Sequence, residues 1–389
     1  MESPFQVAQR ANVPPFHVMD MIEAAARRQR EHGDVLSLLA GQPLTGAPGP
    51  VTAEAVRLLQ SGDPLGYTPA TGILELRQAI AGHHRRTRGI TVDPDDVVVT
   101  TGASGGFLLA FLAAFEAGDR VAMARPNYPC YRNVLTALGC EVVELESRPE
   151  TRFQPTLEQL VSIPDLKGVV VASPANPTGT IMLPEELAAI ATWCEANGVQ
   201  LISDEIYHGI EYGAGATTSS AWETSREAVV FASFSKYFSM TGWRIGWMLV
   251  PRRLRRAVDV LTGNFTICPP ALAQHAAIAA FTEEAYAELD GHVARYASNR
   301  TLLLDGLKSL GIDKIAPADG AFYIYADVSH LTDDTMAWST WLLATHGVAV
   351  APGADFDTAA GHRFVRFSFA GDGAEITRAL DRLSTALTG

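Results

Sequence analysis

Between about residues 95 and 250, short β-branched runs alternate with helix-like segments, and no other feature of the chain restricts its fold as strongly. The runs are "DDVVVTTG" (95–102), "DRVAMARP" (119–126), "EVVELE" (141–146), "GVVVAS" (168–173), "QLISDE" (200–205), "AVVFASFS" (228–235) and "IGWMLV" (245–250). They are apolar almost throughout, which a strand needs when both of its faces are covered. The intervening "PEELAAIATWCEANG" has proline in its first turn and Asn-Gly at its end, as a helix should. Strand and helix in alternation predict an α/β unit with a mainly parallel, seven-stranded sheet flanked by helices.

At 389 residues the chain exceeds what one apolar core usually serves, so a second unit is expected. After about residue 271 the pattern changes. A long helical stretch (271–310) leads to "GAFYIYADV", a helix, "GVAVAPG", "RFVRFSF" and a last helix. This order predicts a smaller α+β domain. The large domain is placed at 45–275, and both termini, 1–44 and 276–389, form the small one. The junctions fall at the "LAGQPLTGAPGP" turn (39–50) and in a continuous helix near 275–300.

A net charge of −13 argues against nucleic acid or anionic membrane as a partner. The basic "PRRLRRAV" (251–258) is short and reads as a solvated helix start. "FLLAFLAAF" (107–115) is too short to span a bilayer, and the amino terminus has no basic-then-apolar leader pattern. Cys130, Cys140, Cys194 and Cys268 form no C-x-x-C pair, which fits reduced thiols in a cytoplasmic protein. No metal-ligand motif is visible, so no metal is expected.

Ligands of open α/β sheets bind beyond the carboxyl ends of the strands, where this chain places several polar groups. Gly102-Ala103-Ser104-Gly105-Gly106 follows one strand and opens a helix, so it can be a plain turn or an anion cradle. Asn176 lies between two prolines in "SPANPTGT", a turn on its own terms. Asp204 ends an apolar strand, where it caps a helix or pairs with a buried cation. Ser233, Lys236 and Arg244 fall within one short stretch. Of 30 basic residues only Lys167, Lys236, Lys308 and Lys314 are lysines, so a lysine after a buried strand stands out. Unlike arginine, a buried lysine can lose its proton and act as a nucleophile. A phosphate cradle, a Schiff-base lysine and a carboxylate for a ring nitrogen together meet the needs of pyridoxal phosphate.

At this point the chain resembles the fold-type I, class I/II pyridoxal-phosphate aminotransferases. The likeness runs from "LAGQP" (39–43) to "RFVRFSFA" (363–370) and is strongest in "SFSKYFSMTGWRIGW", similar to the family's S-x-S-K-x-x-x-M-T-G-W-R-x-G. The resemblance implies that Lys236 holds the cofactor as a Schiff base and shuttles the proton, with Arg244 and burial lowering its pKa. Asp204 would pair with the pyridine nitrogen, Tyr207 and Asn176 would bond the ring oxygen, and Tyr128 would stack on the ring. Gly102, Ala103, Ser104, Ser233 and Arg244 would hold the phosphate. Tyr67 would reach the phosphate of a neighbouring subunit, which implies a homodimer. Arg366 and the Gly41 amide would take the substrate α-carboxylate.

The chain departs from the family pattern at Gly41-Gln42-Pro43, at Ala175-Asn176-Pro177 and at Asp357, where many relatives have glycine. The implied reaction moves an amino group between an amino acid and a 2-oxo acid in two half-reactions. A second cation for an aspartate-type substrate could come from Arg125 or Arg132. Phe16, Tyr323 and Phe265 lean instead toward a neutral, alanine- or valine-like donor. A carbon–sulfur β-lyase of the same fold would use the same residues, and a non-catalytic nucleotide-binding protein would use only the glycine loop.

Overall fold

The computed structural model describes residues 6–213 and 217–388; the outermost ends of the expected small domain, 1–5 and 389, lie outside them. Twelve strands are present among the described residues: β1 (Leu36–Ser37), β2 (Val97–Thr100), β3 (Arg120–Arg125), β4 (Glu141–Glu146), β5 (Leu166–Ala172), β6 (Gln200–Asp204), β7 (Val229–Ser233), β8 (Gly246–Leu249), β9 (Tyr323–Asp327), β10 (Val348–Ala349), β11 (Ala351–Pro352) and β12 (Phe364–Ser368). The seven expected runs give β2 to β8, and these form one seven-stranded sheet in the order β2-β8-β7-β6-β5-β3-β4. Strand β8 is antiparallel to both neighbours, and the remaining pairs are parallel. An antiparallel return needs no crossover helix. Residues 234–245 therefore turn directly from β7 into β8, and Lys236 sits on that turn.

Alternate strand residues feed two apolar layers. Val97, Val99, Val169, Val171, Leu201, Val230 and Leu249 face one, while Val98, Val121, Val170, Ile202, Phe231 and Met248 face the other. The second layer is filled by the helix Gly102–Ala114, whose Phe107 ring stacks on Phe231 at 4.1 Å. Each such buried aromatic or branched side chain contributes about 2 kcal/mol. The uninterrupted apolar character of the strands follows from having a core on both faces.

Strands β11, β12 and β9 form a small antiparallel sheet. The expected single run "GVAVAPG" is divided: β10 pairs in parallel with β1, and after Val350 the chain joins the other sheet as β11. The continuous helix expected near 275–300 is also corrected. Helix Ala271–Ala277 passes into a tighter turn, Ile278–Phe281, and a new helix begins at Glu283. Thr282 is extended and its hydroxyl accepts from the Ala285 amide, while Glu283 and Glu284 favour the new amino terminus. Along Glu283–Ser309, Tyr286 and Leu289 join the core of the large sheet, whereas Tyr296, Leu303 and Leu307 join that of the small one.

In the basic segment, Arg253, Arg255 and Arg256 pair with Glu227, Asp96 and Asp259, in keeping with a solvated helix. Among the described residues, no helix is long and apolar enough to cross a membrane.

Candidate functional site

Beyond the carboxyl ends of β2, β5, β6 and β7 lies a cavity of about 1030 Å³. Lys236, Asp204, Tyr207, Asn176, Tyr128, Ala103, Ser104, Ser233, Arg244, Gly41 and Arg366 all line it, though they span more than 300 residues of sequence.

Asp204 ends β6 and is only 3% exposed. Its Oδ1 accepts from the Ile206 amide at 3.2 Å, and its Oδ2 accepts from the Tyr131 hydroxyl. Burial pushes its pKa up to about 6, against the lowering effect of Tyr131, Ile206 and Lys236. The Lys236 ammonium donates to the Gly41 carbonyl at 2.6 Å. Its pKa falls to about 8, first through burial and next through the nearby Arg366, while Asp204 acts the other way and Arg244 contributes less. Burial and Arg244 thus lower it as expected, and Arg366, which enters the site from a distant part of the chain, adds more than Arg244 does.

Helix Gly102–Ala114 starts after Thr101 with no side chain capping it. Gly102 is left-handed (φ 67°), which favours glycine, and a Cβ there would push the Arg244 guanidinium aside. Gly102 itself does not line the cavity; it lets Arg244 lie across the helix start. The Ser233 hydroxyl accepts from the Ser235 amide at 3.0 Å. A free helix amino terminus, two hydroxyls and a guanidinium make an anion cradle.

Arg366, on β12, is 2% exposed. Its guanidinium donates to Asn176 Oδ1 at 2.8 Å and to the Leu39 carbonyl at 3.0 Å, and lies over the Tyr323 ring at 4.4 Å. Among the described residues it has no acidic partner within salt-bridge distance. A buried guanidinium without a carboxylate is costly alone and well placed to receive one from a ligand. Gly41 adjoins it, since a Cβ on Gly41 would stand 3.7 Å from Arg366 Nη2. Tyr207 is buried and shares a 2.7 Å hydrogen bond with Tyr323.

Other expected residues fall elsewhere. Tyr67 is 84% exposed and outside the cavity of its own chain. Phe265 is 53% exposed and also lies outside, so within one chain it does not shape the pocket; it ends a surface helix. Arg125 and Arg132 do not line the cavity either. Arg125 stands 3.0 Å from Asp357 and Arg132 stands 3.2 Å from Glu144. The unusual Asp357 thus occupies one of the two candidate cations.

Four contributors were not singled out from the sequence. Tyr131 is three residues after Tyr128 in "RPNYPCY" (125–131), and helical spacing could have found it. Ser235 is the second serine of the signature itself. Thr241 also lines the cavity, and its hydroxyl donates to the Ser235 carbonyl at 3.0 Å. The helix His17–His32, which supplies Val18, Met19 and Ile22 to the cavity, had no local signal of a role.

Residues 33–383 match the family described as aminotransferase class I and II. The chain is 64% identical to a valine–pyruvate aminotransferase of Mycobacterium tuberculosis, over 98% of both proteins. It is 35% identical to an aspartate/prephenate aminotransferase of Thermus thermophilus, over 94% of each. Among solved structures it resembles an aminotransferase from Mycobacterium tuberculosis with a TM-score of 0.97 at 64% identity, covering 98% of this chain and 99% of the other. With a likeness of this extent, the chain belongs to the class I and II aminotransferases.

Proposed function

We propose that this aminotransferase binds pyridoxal phosphate and exchanges an amino group between a neutral, valine- or alanine-like amino acid and a 2-oxo acid such as pyruvate. The observation that carries the reading is Arg366, a buried guanidinium with no carboxylate partner among the described residues, in one cavity with Lys236 and Asp204. The residues fit the cofactor: an uncapped helix start crossed by Arg244 suits a phosphate, and a buried carboxylate suits a protonated ring nitrogen. When bound, pyridoxal phosphate supplies an electron sink for the charge left when the substrate Cα loses its proton.

In this reading the remaining work falls to the chain. Lys236 would hold the cofactor and then, as a free amine, take the proton from Cα, a task suited to a pKa near 8. Asp204 would hold the ring nitrogen's proton, and Tyr131 would fix that carboxylate in place. Tyr207 and Asn176 would bond the ring oxygen, and Tyr128 would cover the ring. Arg366 would orient the substrate through its α-carboxylate, with the Gly41 amide beside it.

Support for a neutral donor comes from the pairing of Arg125 with Asp357 and of Arg132 with Glu144, and from apolar Phe16, Val18, Met19 and Ile22 in the cavity wall. The 64%-identical relative named for valine and pyruvate points the same way. We assign residues 45–275 to the unit that holds the cofactor and the rest to the unit that carries Arg366. The division of helix Glu283–Ser309 between two apolar cores supports this. The active unit is proposed to be a homodimer in which Tyr67 reaches the partner's phosphate site. Its exposure supports this, as does the 3.5 Å contact of Thr68 with Cys268, which sets the loop beside the exposed Ile267.

The test is a half-reaction scan of the purified holoenzyme with single amino acids and no oxo acid. One equivalent of oxo acid per site, with the matching change in visible absorbance, is expected from valine or alanine. Continuous oxo acid and ammonia release would identify an elimination enzyme and overturn the proposal, and a response to aspartate alone would overturn the neutral donor. Arg366→Lys should raise KM for the amino acid by about 100-fold, because an ammonium cannot meet both carboxylate oxygens as a planar fork does. A KM within threefold of wild type would remove Arg366 from the substrate site.

A further inference from the structure

The helix His17–His32 supplies Val18, Met19 and Ile22 to the cavity, yet it has no amino-terminal cap of its own, since Phe16 offers no side-chain acceptor. The cap comes from the far end of the chain. Both Asp355 oxygens accept from this helix, one from the His17 amide at 2.8 Å and the other from the Val18 amide at 2.7 Å. Asp355 is 2% exposed and has no basic partner within salt-bridge distance among the described residues. A carboxylate bonded to two amides at a helix start is favoured by the hydrogen bonds and by the helix dipole together.

The next residue, Phe356, lies against the other end of the site. Its ring is 4.8 Å from the Arg366 guanidinium and packs with Val18 and Met21 in one apolar cluster. The two-residue step Asp355-Phe356 therefore touches both the helix start and the arginine placed at the substrate carboxylate. Arg132 fixes the step from behind by donating to the Asp355 carbonyl at 3.3 Å.

We infer that Asp355 is a positioning residue for substrate selection: it holds the amino-terminal helix so that Phe16, Val18, Met19 and Ile22 form the wall that reads the substrate side chain in the cavity Arg366 enters. This rests on the neutral-donor reading given above. With the anchor in place, the wall stands at a fixed distance from Arg366, and a branched aliphatic side chain gains contacts that a methyl group does not. Without it, the helix can shift, and the loss falls on the larger donor.

Asp355→Asn is the informative variant. It keeps one acceptor but sets an N–H donor toward the second amide, so one of the two bonds is lost with little change in shape. Hydrogen exchange measured by mass spectrometry on the holoenzymes should show peptides covering residues 17–25 exchanging about tenfold faster than in wild type. The ratio of kcat/KM for valine over alanine should fall about tenfold, with the change carried by KM. Ile22→Ala leaves the anchor intact and should lower the same ratio without faster exchange, which keeps the inference testable if Asp355→Asn fails to fold. Unchanged exchange in Asp355→Asn, or an unchanged ratio in either variant, would overturn the inference. The exchange measurement needs no substrate, so it remains decisive about the anchor even if wild type turns over neither amino acid. That outcome would count against the proposed donor class instead.

Discussion

Lys236→Ala is expected to lower amino transfer by at least about 10⁴-fold, the upper range for losing a positioned proton-transfer group, with a further loss from its proposed covalent role. Retention of the cofactor should be much less affected, because the proposed phosphate cradle of Ala103, Ser104, Ser233 and Arg244 and the carboxylate of Asp204 are untouched. The variant should therefore purify with pyridoxal phosphate bound but no longer fixed by borohydride, as intact mass would show. Lys236→Arg should be no better. Its guanidinium keeps the charge but cannot give up its proton near neutral pH, whereas the Lys236 amine, at about 8, can. Activity of either variant within 100-fold of wild type would remove Lys236 from the chemistry.

Asp204→Asn should separate function from stability. In the holoenzyme, loss of the negative charge proposed to face the ring nitrogen is expected to lower kcat by about 10³-fold, the scale of a preorganised electrostatic contact. In the cofactor-free chain the same change should stabilise the fold by about 3 kcal/mol, because a buried carboxylate with no cation bonded to it is costly. Asparagine still offers an acceptor to the Ile206 amide, and the Tyr131 hydroxyl can turn to accept from its amide. The pH dependence follows from the raised pKa. Asp204 binds its proton up to about pH 6 when folded and only to about 3.8 when unfolded. Its contribution is therefore most favourable below about 3.8, weakens as pH rises toward 6, and is fully unfavourable above that. Denaturant midpoints of the two cofactor-free proteins should accordingly differ most above pH 6 and converge on acidification. An equal gap at every pH would trace the effect to packing instead of charge.

Several parts of the site were legible because their signals are local. The seven strands appear as apolar runs because both faces of the sheet are covered, so every position along a run is selected alike. Gly102 is favoured by its own left-handed backbone, and Lys236 stands out because this chain otherwise mostly uses arginine. The helix break at Thr282 was readable in principle as a threonine followed by two glutamates, but the apolar periodicity on either side concealed it.

By itself, the sequence determined the α/β sheet, the strand ends at which polar groups collect, and the one lysine that stands out among them. These follow from the period of apolar side chains and from residue chemistry, which act over a few neighbours. Only the tertiary structure decided what each polar group faces. Lys236 meets Gly41, Arg366 meets Asn176 and Leu39, Arg125 is taken by Asp357, and Asp355 caps a helix 338 residues away. Hydrogen bonds and ion pairs depend on distances of a few ångströms between atoms that only the packed chain brings together, and no local pattern encodes them.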